Sequence, residues 1–139
     1  MLQAMNTGHD GSITTVHANN PRDAIARIET MAMMGSITLP AAAIRAQIAS
    51  AIDLIVQVSR MSDGSRRVTR ITECVGVEGD TISTQDLFVF ERTGLNRDGE
   101  VMGRFEPCGV RPRFYEQLES AGFGLAPSTF ETTVEVGYS

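Results

Sequence analysis

The chain has 139 residues, of which 42% are hydrophobic and 21% charged, and its formal net charge at pH 7 is −5. This length suits one domain with its own core, the composition excludes a disordered or fibrous protein, and the acidic balance argues against nucleic acid as a partner. All twelve cationic residues are arginines, so these residues hold neither the lysine of a phosphate-binding P-loop nor a Schiff-base lysine.

The first third of the chain predicts a helix, a strand and a second helix. Residues 2–8 have helical character, and since no capping residue precedes them we expect the chain to begin inside an element. Ser12–Ala18 is short and rich in β-branched residues, which predicts a buried strand. Asn20 is a helix cap and Pro21 suits the first helical position, so we expect a helix from there to about Gly35.

The remainder predicts one more helix, a strand and then an antiparallel meander. A helix begins at Thr38–Pro40, and LIVQVS at residues 54–59 is typical of a mostly buried strand. Turn signals then separate further strands. The strands are expected at residues 67–77, 81–91 and 101–105, and a closing helix at residues 114–122. The order describes one α/β unit followed by the meander.

The only two histidines, His9 and His17, flank a run of Gly, Ser and Thr in TGHDGSITTVHANN, residues 7–20. A histidine near a strand end is most often a structural residue. The functional alternative is a phosphate contact, because His17 lies between a strand and a capped helix, where open α/β sheets bind ligands. Thr15 would offer a hydroxyl there. Metal binding is less favoured, because no third ligand occurs at a suitable spacing.

Two other clusters have ordinary interpretations. Three arginines are interpreted as a solvated strand face, with contact to an anion or acidic partner as the alternative: Arg66, Arg67 and Arg70. Three methionines are interpreted as flexible core or interface packing: Met31, Met33 and Met34. The two cysteines, Cys74 and Cys108, have no metal-ligand spacing and indicate the reduced thiols of a cytoplasmic protein. No membrane-spanning run and no leader is recognised, which favours the same location.

Four stretches resemble the bacterial secretion ATPase superfamily, which drives type II and type IV secretion and pilus machines. The first is TGHDGSITTVHANNPRDAIARIETM at residues 7–31. The second, LPAAAIRAQIASAIDLIVQVSRMSDGSRRVTRITE at residues 39–73, is similar to the CpaF branch, linked to assembly of tight-adherence (Flp) pili. TISTQDLFVFE and GVRPRFYEQLESAGF, at residues 81–91 and 109–123, extend the similarity over nearly the whole chain.

The resemblance assigns roles to the histidine segment. The family's RecA-like nucleotide domain carries a P-loop, an aspartate box, a Walker B element and a histidine box, in that order. Of these, only the histidine box lies here, and its histidines correspond to His9 and His17. In the family this box senses the terminal phosphate of the nucleotide and couples it to domain movement. His17 would contact the phosphate, with Thr15 and His9 orienting it.

The resemblance also implies what the whole protein is. Residues 1–139 would be the C-terminal part of a RecA-like motor domain, a mixed sheet with helices followed by the antiparallel meander and closing helix, with the P-loop and Walker B acid upstream. The parent would be a homo-hexameric ATPase using ATP and Mg²⁺, cytoplasmic and peripheral to the inner membrane, with inner-membrane platform proteins as partners. This part alone is expected not to hydrolyse ATP. The alternative is a non-enzymatic oligomerisation or docking module.

Overall fold

The computed structural model describes residues 11–35 and 39–136, so the helix expected at residues 2–8 lies outside the described residues. Two helices come first in this part, followed by four long strands, a short helix, a 3-10 turn and a last short strand. Their bounds are α1 Pro21–Gly35, α2 Ala41–Ala51, β1 Leu54–Arg60, β2 Arg66–Glu78, β3 Thr81–Leu95, β4 Val101–Pro107, α3 Tyr115–Ser120, the 3-10 turn Pro127–Phe130 and β5 Val134–Val136.

Helix α1 begins where the sequence predicts. The Asp23 amide donates a 2.8 Å hydrogen bond to Asn20 Oδ1, and the Ala24 amide donates to the Asn20 carbonyl at 3.0 Å. The side chain of Asn20 therefore satisfies one of the amides that a helix leaves unpaired at its start. Pro21 follows at the first helical position, where its missing N–H costs nothing, and the helix ends at Gly35 as expected.

The chain forms two compact units, and the first contains both of these helices. It comprises the described residues up to Ile55 together with Cys74–Gln85. Apolar side chains from α1, from α2 and the residue after it, and from β2 and β3 form its core: Ile25, Ile28, Ile44, Ile48, Ile52, Cys74 and Ile82. Ile48 is 0% exposed. Burial of this apolar surface is the main stabilising contribution to the unit.

The strands form one five-stranded sheet in the order β1-β2-β3-β4-β5. A two-residue turn at 79–80 joins β2 to β3, which is possible only for antiparallel neighbours. β3 pairs antiparallel with β4, with Phe90 opposite Phe105, and β4 pairs antiparallel with β5, with Phe105 opposite Val134. The predicted α/β class with an antiparallel meander is confirmed.

The second unit comprises Val56–Glu73 and the described residues from Asp86 onward. Leu87 and Val101 are buried in it, and the rings of Phe88 and Phe105 stack at 5.3 Å between centroids. The rings of Tyr115 and Phe130 meet edge to face at 5.9 Å. This aromatic cluster ties α3 and the 3-10 turn to the sheet. The closing helix is confirmed, and the residues that follow it contribute Phe130 and β5.

One predicted strand is wrong. Ser12–Ala18 forms no strand, and all of it is exposed except Val16 and Ala18, which are half-buried. β-branched composition favours a strand only where a neighbouring strand accepts and donates the backbone hydrogen bonds. The five described strands pair with one another, and this segment is not a member of their sheet.

Two predictions of burial are also wrong. β1 is an edge strand, and Leu54, Val56 and Val58 are 41%, 54% and 51% exposed, so the strand is not mostly buried. Its alternate side chains face away from the covered side of the sheet. The methionines of α1 are not core residues, because all three are exposed: Met31, Met33 and Met34. Their interpretation as interface packing is left as a prediction.

Asp63, in the turn between β1 and β2, predicts a pH dependence of stability. Its carboxylate accepts hydrogen bonds from the amide and hydroxyl of Ser65, at 2.8 and 2.5 Å, and from the Val101 amide at 2.7 Å. The Ser65 hydroxyl, then the Val101 and Ser65 amides, lower the pKa of Asp63 from 3.8 to about 2. The unfolded chain therefore binds the proton more readily than the folded chain.

We expect this stabilisation to be complete above the unfolded pKa of 3.8 and to disappear as the pH falls through about 2. Thermal melts of the wild type and of Asp63→Asn between pH 6 and pH 2 measure it, because the difference in melting temperature should shrink over that window. Asp98→Asn, in the exposed turn before β4, is the control and should follow the wild-type profile. Parallel profiles for wild type and Asp63→Asn would contradict the assignment.

Candidate functional site

The segment that leads into α1 carries two of the three predicted site residues on its exposed side. Val16 packs against the core of the first unit, while Thr15 and His17 on either side of it are exposed. Successive side chains of a chain anchored in this way point in different directions, so burial of Val16 presents its two neighbours to solvent. His17 is thus not a buried core histidine. His9 lies outside the described residues.

The start of α1 follows His17 closely. The side-chain oxygen of Asn20 accepts a hydrogen bond from the Asp23 amide, and Asn20 Nδ2 lies 3.4 Å from Asp23 Oδ2. The joint between His17 and the helix is therefore short and fixed at its far end. An exposed imidazole and an exposed hydroxyl beside a helix start are able to donate hydrogen bonds to an anion.

Among residues 11–35 and 39–136, no group of three or more His, Cys, Asp or Glu side chains is arranged to hold a metal ion. In the same residues no helix has the length and apolar character needed to cross a membrane.

The three arginines predicted as one strand face do not form a common surface. Arg70 Nη1 pairs with Asp86 Oδ2 at 2.5 Å, and Asp86 Oδ1 accepts a bond from the Thr72 hydroxyl at 2.7 Å. Arg67 Nη2 donates instead to the Val101 carbonyl at 3.0 Å. Of these three arginines, Arg66 alone is both exposed and outside the ion pairs of the described residues. Alternation along β2 places Arg67 on the other face from Arg66 and Arg70.

Sequence reasoning missed one buried acid. Glu73 is 2% exposed and accepts a 2.6 Å hydrogen bond from the Arg113 amide. The contact joins β2 to the segment before α3, forty positions along the chain. A buried carboxylate requires such donors. The partner of Glu73 is forty positions away, so no local sequence pattern predicts either its burial or its hydrogen bond.

Cys108 is the exposed cysteine. Partial burial of its sulfur raises the pKa of the Cys108 thiol, and the nearby Asp86 carboxylate adds to the rise while Arg70 opposes it. A thiol with a raised pKa is protonated at neutral pH and is a poor nucleophile. Nucleophilic catalysis by Cys108 is therefore not supported by its surroundings.

Comparison with known proteins points to one family. Residues 1–97 match the sequence profile of the family described as type II/IV secretion system protein. This span includes the histidine segment, α1, α2, β1, β2 and β3.

Three curated relatives are named for conjugal transfer. Two conjugal transfer proteins from strains of Mycobacterium tuberculosis are 40% identical to the chain over 79 residues, which is 57% of this chain and 22% of each relative. The conjugal transfer protein TrbB of Rhizobium radiobacter is 35% identical over 79 residues, again 57% of this chain and 22% of the relative. The match thus spans about a fifth of the length of these relatives.

Proposed function

Because the profile match places the chain in the type II/IV secretion system protein family, we propose that it is part of an ATP-driven motor of a secretion or pilus machine. The match over residues 1–97 supports the general part of this proposal, a role in a type II or type IV secretion system. The finer proposal is that the motor is of the CpaF type, assembles Flp pili, and works as a homo-hexamer with ATP and Mg²⁺. It would be a cytoplasmic protein held against inner-membrane platform proteins.

The observation that carries the mechanism is the exposure of His17 and Thr15 just before a capped helix. We propose that His17 donates a hydrogen bond to the terminal phosphate of the nucleotide, with Thr15 and His9 orienting the imidazole. Such a contact exists only while that phosphate is present. Its loss after hydrolysis would therefore be a two-state signal that a short joint passes to α1.

Phosphoryl transfer itself needs groups that these 139 residues do not contain. A P-loop lysine contacts the phosphates and an acidic residue helps to hold the metal ion, and the chain has no lysine. We therefore propose that the remaining machinery comes from a longer parent protein. The 139-residue chain alone is expected to release no inorganic phosphate from Mg-ATP above a heat-inactivated control.

The decisive experiment is His17→Ala in the intact parent protein. Loss of a hydrogen bond to a charged group costs about 1.5–3 kcal/mol, so we expect the ATPase rate to fall about 10- to 150-fold. The Kd for the nucleotide should rise less than the rate falls, because the bond is expected to be strongest where charge develops on the phosphoryl group in the transition state. The melting temperature should stay within about 1 °C, since His17 is exposed. ATPase rate, nucleotide Kd and thermal melting are measured on the same preparation.

Asn19→Ala is the matched control, because Asn19 is an exposed polar residue two positions from His17. It should leave all three quantities unchanged. Equal ATPase losses in both variants, or a large drop in melting temperature with normal specific activity for His17→Ala, would contradict the phosphate contact. A parent sequence without GxxxxGK[ST] would instead favour the alternative, a non-enzymatic oligomerisation or docking module.

A further inference from the structure

One face of the sheet in the second unit carries a row of apolar side chains, one from each strand, here called the apolar row. Its members are Val58, Val68, Phe90, Phe105 and Val134. Three of them are 51%, 38% and 53% exposed: Val58, Val68 and Val134. The two phenylalanines are half-buried and, with Arg67, Val68 and Val134, line an open groove of about 350 Å³. This volume is within the range of clefts that bind ligands.

Contacts across the sheet show that these side chains share a face. Phe105 lies directly opposite both Phe90 and Val134, and opposed residues of antiparallel strands point the same way. The groove adds Val68 to this face. The Ser59 and Thr69 hydroxyls meet at 3.2 Å on the other face, so the adjacent Val58 and Val68 lie together on this one.

A second row, here called the arginine rim, borders the apolar row. Arg60, Arg66 and Arg92 each lie two residues from a member of the apolar row on the same strand and are exposed. In the described residues no carboxylate lies within ion-pair distance of these three guanidinium groups. Two other arginines of the unit do have carboxylate partners, since Arg70 pairs with Asp86 and Arg104 with Glu106.

An apolar groove beside uncompensated cations fits a partner with the complementary pattern. We propose that this face docks an amphipathic helix of another protein, whose apolar stripe fills the groove and whose Asp or Glu side chains meet the arginine rim. Five strands spaced about 4.8 Å apart make the apolar row about 19 Å long. A helix of about 13 residues has that length.

Two other classes of partner fit less well. The chain carries a net charge of −5, and long-range repulsion opposes a polyanionic nucleic acid. A bilayer surface is contacted by protruding side chains, whereas Phe90 and Phe105 are half-buried in a groove. A helix inserts side chains into such a groove. The proposal does not depend on ATP chemistry.

A displayed peptide library tests the proposal on the 139-residue chain. The library holds 14-residue helices with a fixed apolar stripe and flanking positions that vary among Glu, Lys, Ser and Ala. We expect selection to enrich Glu over Lys at the flanking positions. The Kd of the enriched peptide, measured by fluorescence anisotropy, should rise about tenfold or more in Arg66→Glu/Arg92→Glu. It should also rise in Val68→Ser, a mild change at a partly exposed groove position.

The matched control is Arg22→Glu/Arg97→Glu, which changes the net charge equally at exposed positions outside the arginine rim. It should leave the Kd within about twofold. No enrichment, enrichment of Lys, or equal weakening by both double variants would overturn the proposal.

Three other occupants are tested on the same variants. They are vesicles of equal phosphatidylcholine and phosphatidylglycerol, a 20-nucleotide oligo-dT, and a second copy followed by sedimentation. Binding or dimerisation abolished by Arg66→Glu/Arg92→Glu, without peptide enrichment, would also overturn it. Binding by none of the three, together with enrichment of Glu, would support it.

Discussion

Gly103→Ala is expected to lower the free energy of unfolding of the second unit by about 3 kcal/mol, the upper end of the usual cost of overpacking. Gly103 is buried in β4, opposite Arg92 of β3. A Cβ at this position would overlap the Glu91 carbonyl oxygen and Cζ of Phe90, and would lie 2.8 Å from Phe90 Cε2. The Phe90 ring is able to rotate or shift, but the Glu91 oxygen belongs to the backbone of the paired strand. The β3–β4 pairing must therefore deform.

Urea unfolding followed by circular dichroism measures this loss. Gly124→Ala is the matched control, because a Cβ there would meet nothing within 4 Å, and we expect a change of less than about 0.5 kcal/mol. Adding Phe90→Ala to Gly103→Ala should relieve only the clash between the new Cβ and the Phe90 ring, because the clash with the Glu91 carbonyl oxygen remains. Equal unfolding midpoints for Gly103→Ala and Gly124→Ala would show that the strands yield without cost.

Local chemistry was enough to predict where most elements begin and end. Asn20 and Pro21 determine the start of α1 through a cap and a preset φ, both properties of adjacent residues. The turns after β1, β2 and β3 likewise depend on short Asp-Gly, Gly-Asp and Asn-Arg-Asp-Gly signals. Such predictions need no knowledge of distant contacts, which is why they were confirmed.

Burial and pairing depend on neighbours that sequence patterns do not identify. The run LIVQVS has the composition of an interior strand, but β1 lies at an edge and exposes alternate side chains. Ser12–Ala18 has strand composition but does not join the sheet that the described strands form. Asp86 is a charged residue in a strand rich in apolar side chains, and its partners Arg70 and Thr72 lie sixteen and fourteen positions away in the sequence.

At the candidate site too, features set by adjacent residues were predicted and features that depend on distant residues were not. The position of His17 before a capped helix was predicted from adjacent residues, whereas its contact with a phosphate stays a prediction. The partners of that contact would come from sequence outside these residues, so neither pattern nor structure here places them. The arginine rim was missed because Arg60, Arg66 and Arg92 are separated in sequence and become neighbours only through the order of the strands.

Ile48→Ala is expected to lower the free energy of unfolding of the first unit by about 2–5 kcal/mol, the cost of removing a large aliphatic side chain from a close-packed core. Ile48 is 0% exposed. It lies in α2, in a core cluster that includes Ile25 and Ile28 of α1. Truncation removes apolar surface from the core and leaves a cavity whose lining loses van der Waals contacts. Helices α1 and α2 are joined chiefly through this cluster, so the amide protons of both helices should exchange faster.

Ile13→Ala is the matched control, because it deletes the same atoms from a side chain that is 98% exposed. It should change the free energy of unfolding by less than about 0.5 kcal/mol. Denaturant unfolding and hydrogen exchange are measured on both variants. They compare the stability lost on truncating a buried and an exposed isoleucine of the same unit. If Ile13→Ala cost as much as Ile48→Ala, residues 12–18 would be packed as the buried strand that their β-branched composition favours, and His17 would lie at the end of a strand. A large loss for Ile48→Ala alone would leave His17 on an exposed segment, anchored to the core through Val16.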